Sequence, residues 1–192
     1  MHLGVVGMLP GDFRTFEPEH LQSVQAEGFG GVGFHLPGNL LPEITSTNIQ
    51  ACRNLFSDYN LSLVQFSISY PECLFHPQAD IRQEVISKIT AGAEIAAGLG
   101  ARYFLIRPGS LSSEGSWTPH RDNFTPESWQ GLVATLKEIV PALEANSVTA
   151  VMETHLVSIL KDPETCRQLI DTVDSARLRL VMDYVNHFET LG

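Results

Sequence analysis

Two acidic residues, Glu153 and Asp183, each close an apolar run and are each followed by a histidine. The runs are Val148-Thr-Ala-Val-Met-Glu153 and Leu178-Arg-Leu-Val-Met-Asp183, and the histidines are His155 and His187. A buried strand of a parallel sheet reads as a nearly continuous apolar run, and such folds place their chemistry just past the strands' C-terminal ends. Glu153 and Asp183 are therefore expected to face one site. Two hard oxygen ligands with imidazoles close behind suit a divalent cation that polarises a carbonyl. Arg107 ends an earlier apolar run and opens a long polar loop, from Pro108 to Asn123, that holds Trp117, His120 and Arg121. That loop is expected to act as a lid, with Arg107 gripping a carboxylate, phosphate or hydroxyl. His35 ends the second apolar run and is placed to reach a substrate hydroxyl, whereas His20 and His76, in helix or loop contexts, are weaker candidates.

These residues need strands to carry them and helices to space the strands. Strands are expected over Leu3–Met8, Gly31–Leu36, Leu61–Ser69, Ala101–Ile106, Thr149–Glu153 and Leu178–Asp183. Between them lie helical patterns near 17–27, 47–59 and 78–97, the last stopping at Gly98-Leu-Gly100. The clearest helix carries Trp129, Leu132, Val133, Leu136, Ile139, Val140 and Leu143, at the i, i+3, i+4, i+7 spacing of a buried face. Thr125-Pro126 marks its start, and Asp162-Pro163 repeats the signal for a helix bearing Leu169, Ile170 and Val173. Met8, Met152 and Met182, near strand ends, read as core filler.

The strand–helix alternation predicts one α/β domain over residues 1–192 with a parallel sheet. Two architectures fit it, an open doubly wound sheet and most of a (β/α)8 barrel. Gly28-Phe-Gly30-Gly31-Val-Gly33 superficially matches a dinucleotide fingerprint, but it precedes its strand, where a phosphate-cradling turn must follow one. It reads instead as a helix cap leading into the second strand. Acids and histidines at successive strand ends favour the barrel. Eight units need about 250 residues, so 192 residues predict about six strands of a partial barrel, a fragment or a chain completed by another.

Bulk composition excludes other classes. The chain is 43% hydrophobic and 18% charged, ordinary for a globular protein. A net charge of −10 disfavours nucleic acid and anionic membranes as partners. Cys52, Cys73 and Cys166 are odd in number and widely spaced, which suits a reducing cytoplasm rather than a disulfide framework. No apolar stretch approaches the roughly 20 residues that span a bilayer, and no signal peptide is evident.

With these residues in view, Val151-Met-Glu153-Thr-His155 and Val181-Met-Asp183-Tyr-Val-Asn186-His187 resemble the strand-five and strand-six signatures of the xylose isomerase-like barrels, the sugar phosphate isomerase/epimerase group. Glu27-Gly28-Phe-Gly-Gly-Val-Gly33 resembles that group's approach to strand two. The resemblance implies a divalent metal ion, Mn²⁺, Mg²⁺, Co²⁺ or Zn²⁺, held by a Glu, an Asp, a His and a second Glu on strands five to eight. Glu153 and Asp183 would be its first two ligands, and the other two have no counterpart in the chain. It further implies that Glu153 is one of the acid/base pair that moves a proton next to a carbonyl through an enediolate. His155 would lie near the substrate, Asn186 would stand where many members carry a substrate-contacting His, and His187, one residue later, would support the site. The expected substrate is a small sugar, sugar phosphate or hydroxy-keto acid, and a homo-oligomer is compatible with the sequence. The competing readings are a non-catalytic barrel fragment and an apurinic-site endonuclease, the latter disfavoured by the acidic charge and by Asn186.

Overall fold

The computed structural model describes residues 3–187, and the side chains of Tyr184 and His187 lie outside the described residues. Its strands are β1 (Gly4–Val6), β2 (Gly31–Pro37), β3 (Ser62–Ser69), β4 (Tyr103–Ile106), β5 (Ala150–Glu153) and β6 (Leu178–Val181). Between them run α1 (Pro18–Ala26), α2 (Ser46–Asp58), α3 (Ala79–Leu99), α4 (Pro126–Ala145) and α5 (Pro163–Val173). The strands form one sheet in the order β1-β2-β3-β4-β5-β6, every neighbouring pair parallel. A doubly wound sheet reverses its order at a switch point, where ligands bind. This sheet has no such reversal, so the architecture is that of a TIM barrel's first six units.

Local chemistry sets the helix limits. The Thr125 hydroxyl accepts from the Ser128 N–H at 3.2 Å, with Pro126 at the first helical position of α4. Asp162 caps α5 the same way, accepting from the Thr165 N–H at 2.7 Å. Gly28 after α1 and Gly100 after α3 take left-handed backbone angles, φ 81° and 71°, that glycine adopts without penalty.

Side-chain alternation along the strands then decides the core. Phe34, Phe66 and Phe104 are register partners on β2, β3 and β4, all essentially without solvent exposure. Their rings form a continuous ladder that starts at Phe16, with centroid separations of 5.1, 5.3 and 5.8 Å. Helix α3 closes over it with Val85, Ile89, Ala93 and Ala96. A side chain on Gly92 would place its Cβ 2.7 Å from the Phe104 ring, so the helix can sit this low only with glycine there.

The alternate positions face the other way, onto the concave side. Many are small or polar, Gly33, His35, Ser67 and Ser69 among them, while Leu105 and Val151 are buried there and Val6 and Tyr103 stay partly exposed. In a closed barrel such positions pack against one another in layers. Met152 is core filler as expected, but Met182 is 84% exposed. The strand expected to reach Asp183 ends at Val181, and Met182 follows it at the sheet's outer edge. Among the described residues no helix is long and apolar enough to cross a membrane.

Candidate active site at the strand ends

Glu153 is the last residue of β5, directly after Met152, whose side chain is buried on the helix side. Alternation therefore turns the Glu153 carboxyl to the concave side. In register Glu153 pairs with Val181, and Asp183 lies two residues further on, at the same rim. Burial raises the Glu153 pKa above the usual carboxylate value, and the neighbouring Asp183 carboxylate raises it further. His155, Arg107 and an Asn186 hydrogen bond oppose that shift. The expected groups at the ends of β4, β5 and β6 thus meet electrostatically around one carboxyl.

Asn186 also ties the two loops together. Its side-chain amide donates to the Thr154 carbonyl at 3.1 Å, and its own carbonyl accepts from the Leu156 N–H at 3.0 Å. The His155 Nδ1 accepts from the Val157 N–H at 3.2 Å, which orients the ring and assigns any proton it carries when neutral to Nε2. The ring of Trp117, from the loop after β4, lies 5.5 Å from the His155 ring. That loop is internally braced, with the fully buried Asn123 accepting from the Leu111 N–H and donating to the Ser110 hydroxyl. The polar segment therefore folds across the strand ends. His187 falls in the turn after β6, with its side chain outside the described residues.

Arg107 follows β4 and is held by Tyr70, the residue after β3. The Tyr70 hydroxyl accepts from the Arg107 N–H and donates to the Arg107 carbonyl, each at 2.9 Å. The guanidinium in turn donates to the Tyr70 carbonyl at 2.9 Å and lies 5.2 Å from the centre of its ring. Tyr70 is buried, which pushes its pKa up to about 12, so the hydroxyl stays protonated and can keep both bonds. His35, on the same concave face, is hydrogen-bonded through Nδ1 to the Ser67 hydroxyl. Burial lowers its pKa and the Arg107 charge lowers it further, so the imidazole is neutral at pH 7.

Sequence reasoning missed Tyr70 and Ser67. The only local signal for Tyr70 is its place between the β3 end and Pro71. His20 and His76 accept from the backbone N–H groups of Glu17 and Gln78, which is a local structural role.

The sequence profile of the xylose isomerase-like TIM barrel family matches residues 21–192. The chain belongs to that family. A search of curated proteins finds no match. Among solved structures, D-psicose 3-epimerase with D-tagatose from Clostridium cellulolyticum H10 superposes with a TM-score of 0.73 at 15% identity, covering 94% of this chain and 62% of that one. A 3-keto-D-glucoside 4-epimerase from E. coli gives 0.72 at 14% identity, covering 94% and 67%. A xylose isomerase-like TIM barrel protein from Mycobacterium smegmatis, in complex with magnesium, gives 0.70 at 14% identity, covering 96% and 65%. At these identities the likeness is one of fold. The chain spans about 62% of the length of the D-psicose 3-epimerase it matches.

Among the described residues no group of three or more His, Cys, Asp or Glu side chains is arranged to hold a metal ion. The Glu153–Asp183 pair nevertheless fits part of a hard cation's shell. It offers carboxylate oxygens from the ends of adjacent strands, and a cation would offset the burial and the weaker Asp183 repulsion that together raise the Glu153 pKa.

Proposed function

We propose that this xylose isomerase-like barrel carries a metal-dependent sugar isomerase or epimerase site whose strand-five and strand-six ligands are Glu153 and Asp183. The observation that supports the reading most is the convergence of these two carboxylates at the ends of β5 and β6, on one concave face. The fold likeness to two sugar epimerases, and to a barrel in complex with magnesium, points the same way. In this reading residues 1–192 form one domain of six βα units, and the substrate is a small sugar, sugar phosphate or hydroxy-keto acid.

A bound divalent cation would neutralise negative charge developing on the substrate's carbonyl oxygen as the adjacent carbon loses its proton. Glu153 would accept that proton from one face of the carbon. Asn186 holds the β5 and β6 loops in register, so the two carboxylates keep their separation. His155 presents Nε2 for a substrate hydroxyl, and Trp117 beside it would exclude water from that side.

Calorimetric titration with Mn²⁺ tests the reading. Near-stoichiometric binding is expected for the chain, with loss of binding in both Glu153→Gln and Asp183→Asn. Equal affinity in the chain and both variants would overturn it. Incorporation of deuterium from D2O next to the carbonyl of a ketose is the corresponding test for proton transfer.

A further inference from the structure

Arg107 is a partly buried cation on the concave face, and among the described residues it forms no ion pair. Among the described residues its one guanidinium hydrogen bond, from Nη2, goes to a neutral carbonyl, that of Tyr70. Five N–H groups make up the planar fork, so most of its donor capacity is left for a ligand. The fork is also held still. The hydroxyl of the same Tyr70 is bonded twice to the Arg107 main chain, so backbone and side chain are gripped by one buried ring. A fork fixed before binding loses little conformational freedom when it engages a planar or tetrahedral oxyanion.

Its neighbours fix what it can be for. Arg107 follows β4 on the same face as His35 of β2 and Glu153 of β5, and its charge is felt by both groups. It is nevertheless not paired with that carboxylate. A neutral polyol is served as well by hydroxyls and amides, which carry no desolvation cost for a charge. A positive charge kept unpaired on the face of a chain of net charge −10 is suited to an anionic group.

We propose that Arg107, locked on Tyr70, anchors a carboxylate or phosphate of the substrate, so that the site takes sugar acids, hydroxy-keto acids or sugar phosphates in preference to neutral sugars. The proposal rests on reading this face as the substrate site and narrows its substrate class. It does not depend on metal binding, and its test removes the metal-ligand carboxylates altogether.

In the full chain carrying Glu153→Gln and Asp183→Asn, binding of glycolate, inorganic phosphate and glycerol is followed by NMR titration. At least one anion is expected to bind about tenfold or more tightly than glycerol, and the tighter of the two assigns carboxylate or phosphate as the source. Adding Arg107→Gln should weaken the anion about tenfold or more and leave glycerol unchanged. Should that variant not fold, Arg107→Lys retains the charge but loses the fork, and a several-fold loss for the anion alone is expected. Anions binding no better than glycerol, or with equal affinity after Arg107→Gln or Arg107→Lys, would overturn the proposal. Loss of Mn²⁺ binding in the parent chain would bear only on the metal site.

Discussion

The two faces of the sheet obey different rules although they are built from alternate residues of the same strands. The helix side is apolar, close-packed and essentially dry, from Phe34 through Phe66 and Phe104 to Met152. The concave side carries His35, Ser67, Arg107 and Glu153 in partial contact with solvent, save for the buried Ser67. One face supplies stability through burial, at roughly 25 cal/mol per Å² of apolar surface. The other holds polar groups through specific hydrogen bonds, an arrangement that suits binding more than packing. A residue's contribution therefore depends on its parity along the strand more than on its distance from the molecule's centre.

The contrast predicts its own breaking points. Phe66→Ala removes the middle of the aromatic ladder and is expected to cost about 3–5 kcal/mol, measurable by chemical denaturation. The adjacent Ser67→Ala, on the other face, should cost about 1 kcal/mol or less. Equal losses at the two positions would dissolve the distinction. Gly92→Ala forces a methyl against the Phe104 ring and should lower stability by about 1–3 kcal/mol without altering ligand binding. Tyr70→Phe keeps the buried ring but leaves the Arg107 N–H and carbonyl without their shared partner, for about 1–3 kcal/mol. Unlike Gly92→Ala, it should also weaken anion binding, because it loosens the Arg107 clamp.

The smallest effect is one of pH. The pKa of His35 is lowered from 6.5 in the folded chain, so below pH 6.5 the unfolded chain binds the proton more readily. Stability should fall as pH drops from 6.5 toward the lowered folded value, and the contribution is fully present above that window. His35→Gln should flatten this part of a plot of melting temperature against pH, and an unchanged slope would mean that neither partial desolvation nor the Arg107 charge bears on the ring.

Much of this was readable from local pattern. All six strands and five helices lie where periodicity, Thr125-Pro126, Asp162-Pro163 and the stop at Gly98-Leu-Gly100 placed them, with ends differing by a few residues. Helix caps and apolar faces are local, with their partners within one to two turns, so spacing alone reveals them. Errors gathered where the chain leaves regular structure. The first strand is shorter than its apolar run because Gly7, at φ 95°, turns the chain away after Val6. Met182, near a strand end, reads as core filler, but pairing with β5 stops at Val181 and leaves it exposed.

What the amino-acid order determined by itself is the succession of strands and helices, and with it the carriage of Glu153 and Asp183 to neighbouring strand ends. What the tertiary structure alone decided is which distant residues hold the polar groups in place. Examples are Tyr70 on Arg107, Ser67 on His35, Asn186 across the β5 and β6 loops, and Trp117 beside His155. Those partners come from different strands and loops, and their meeting depends on register across the sheet. Periodicity within a single segment carries no record of register.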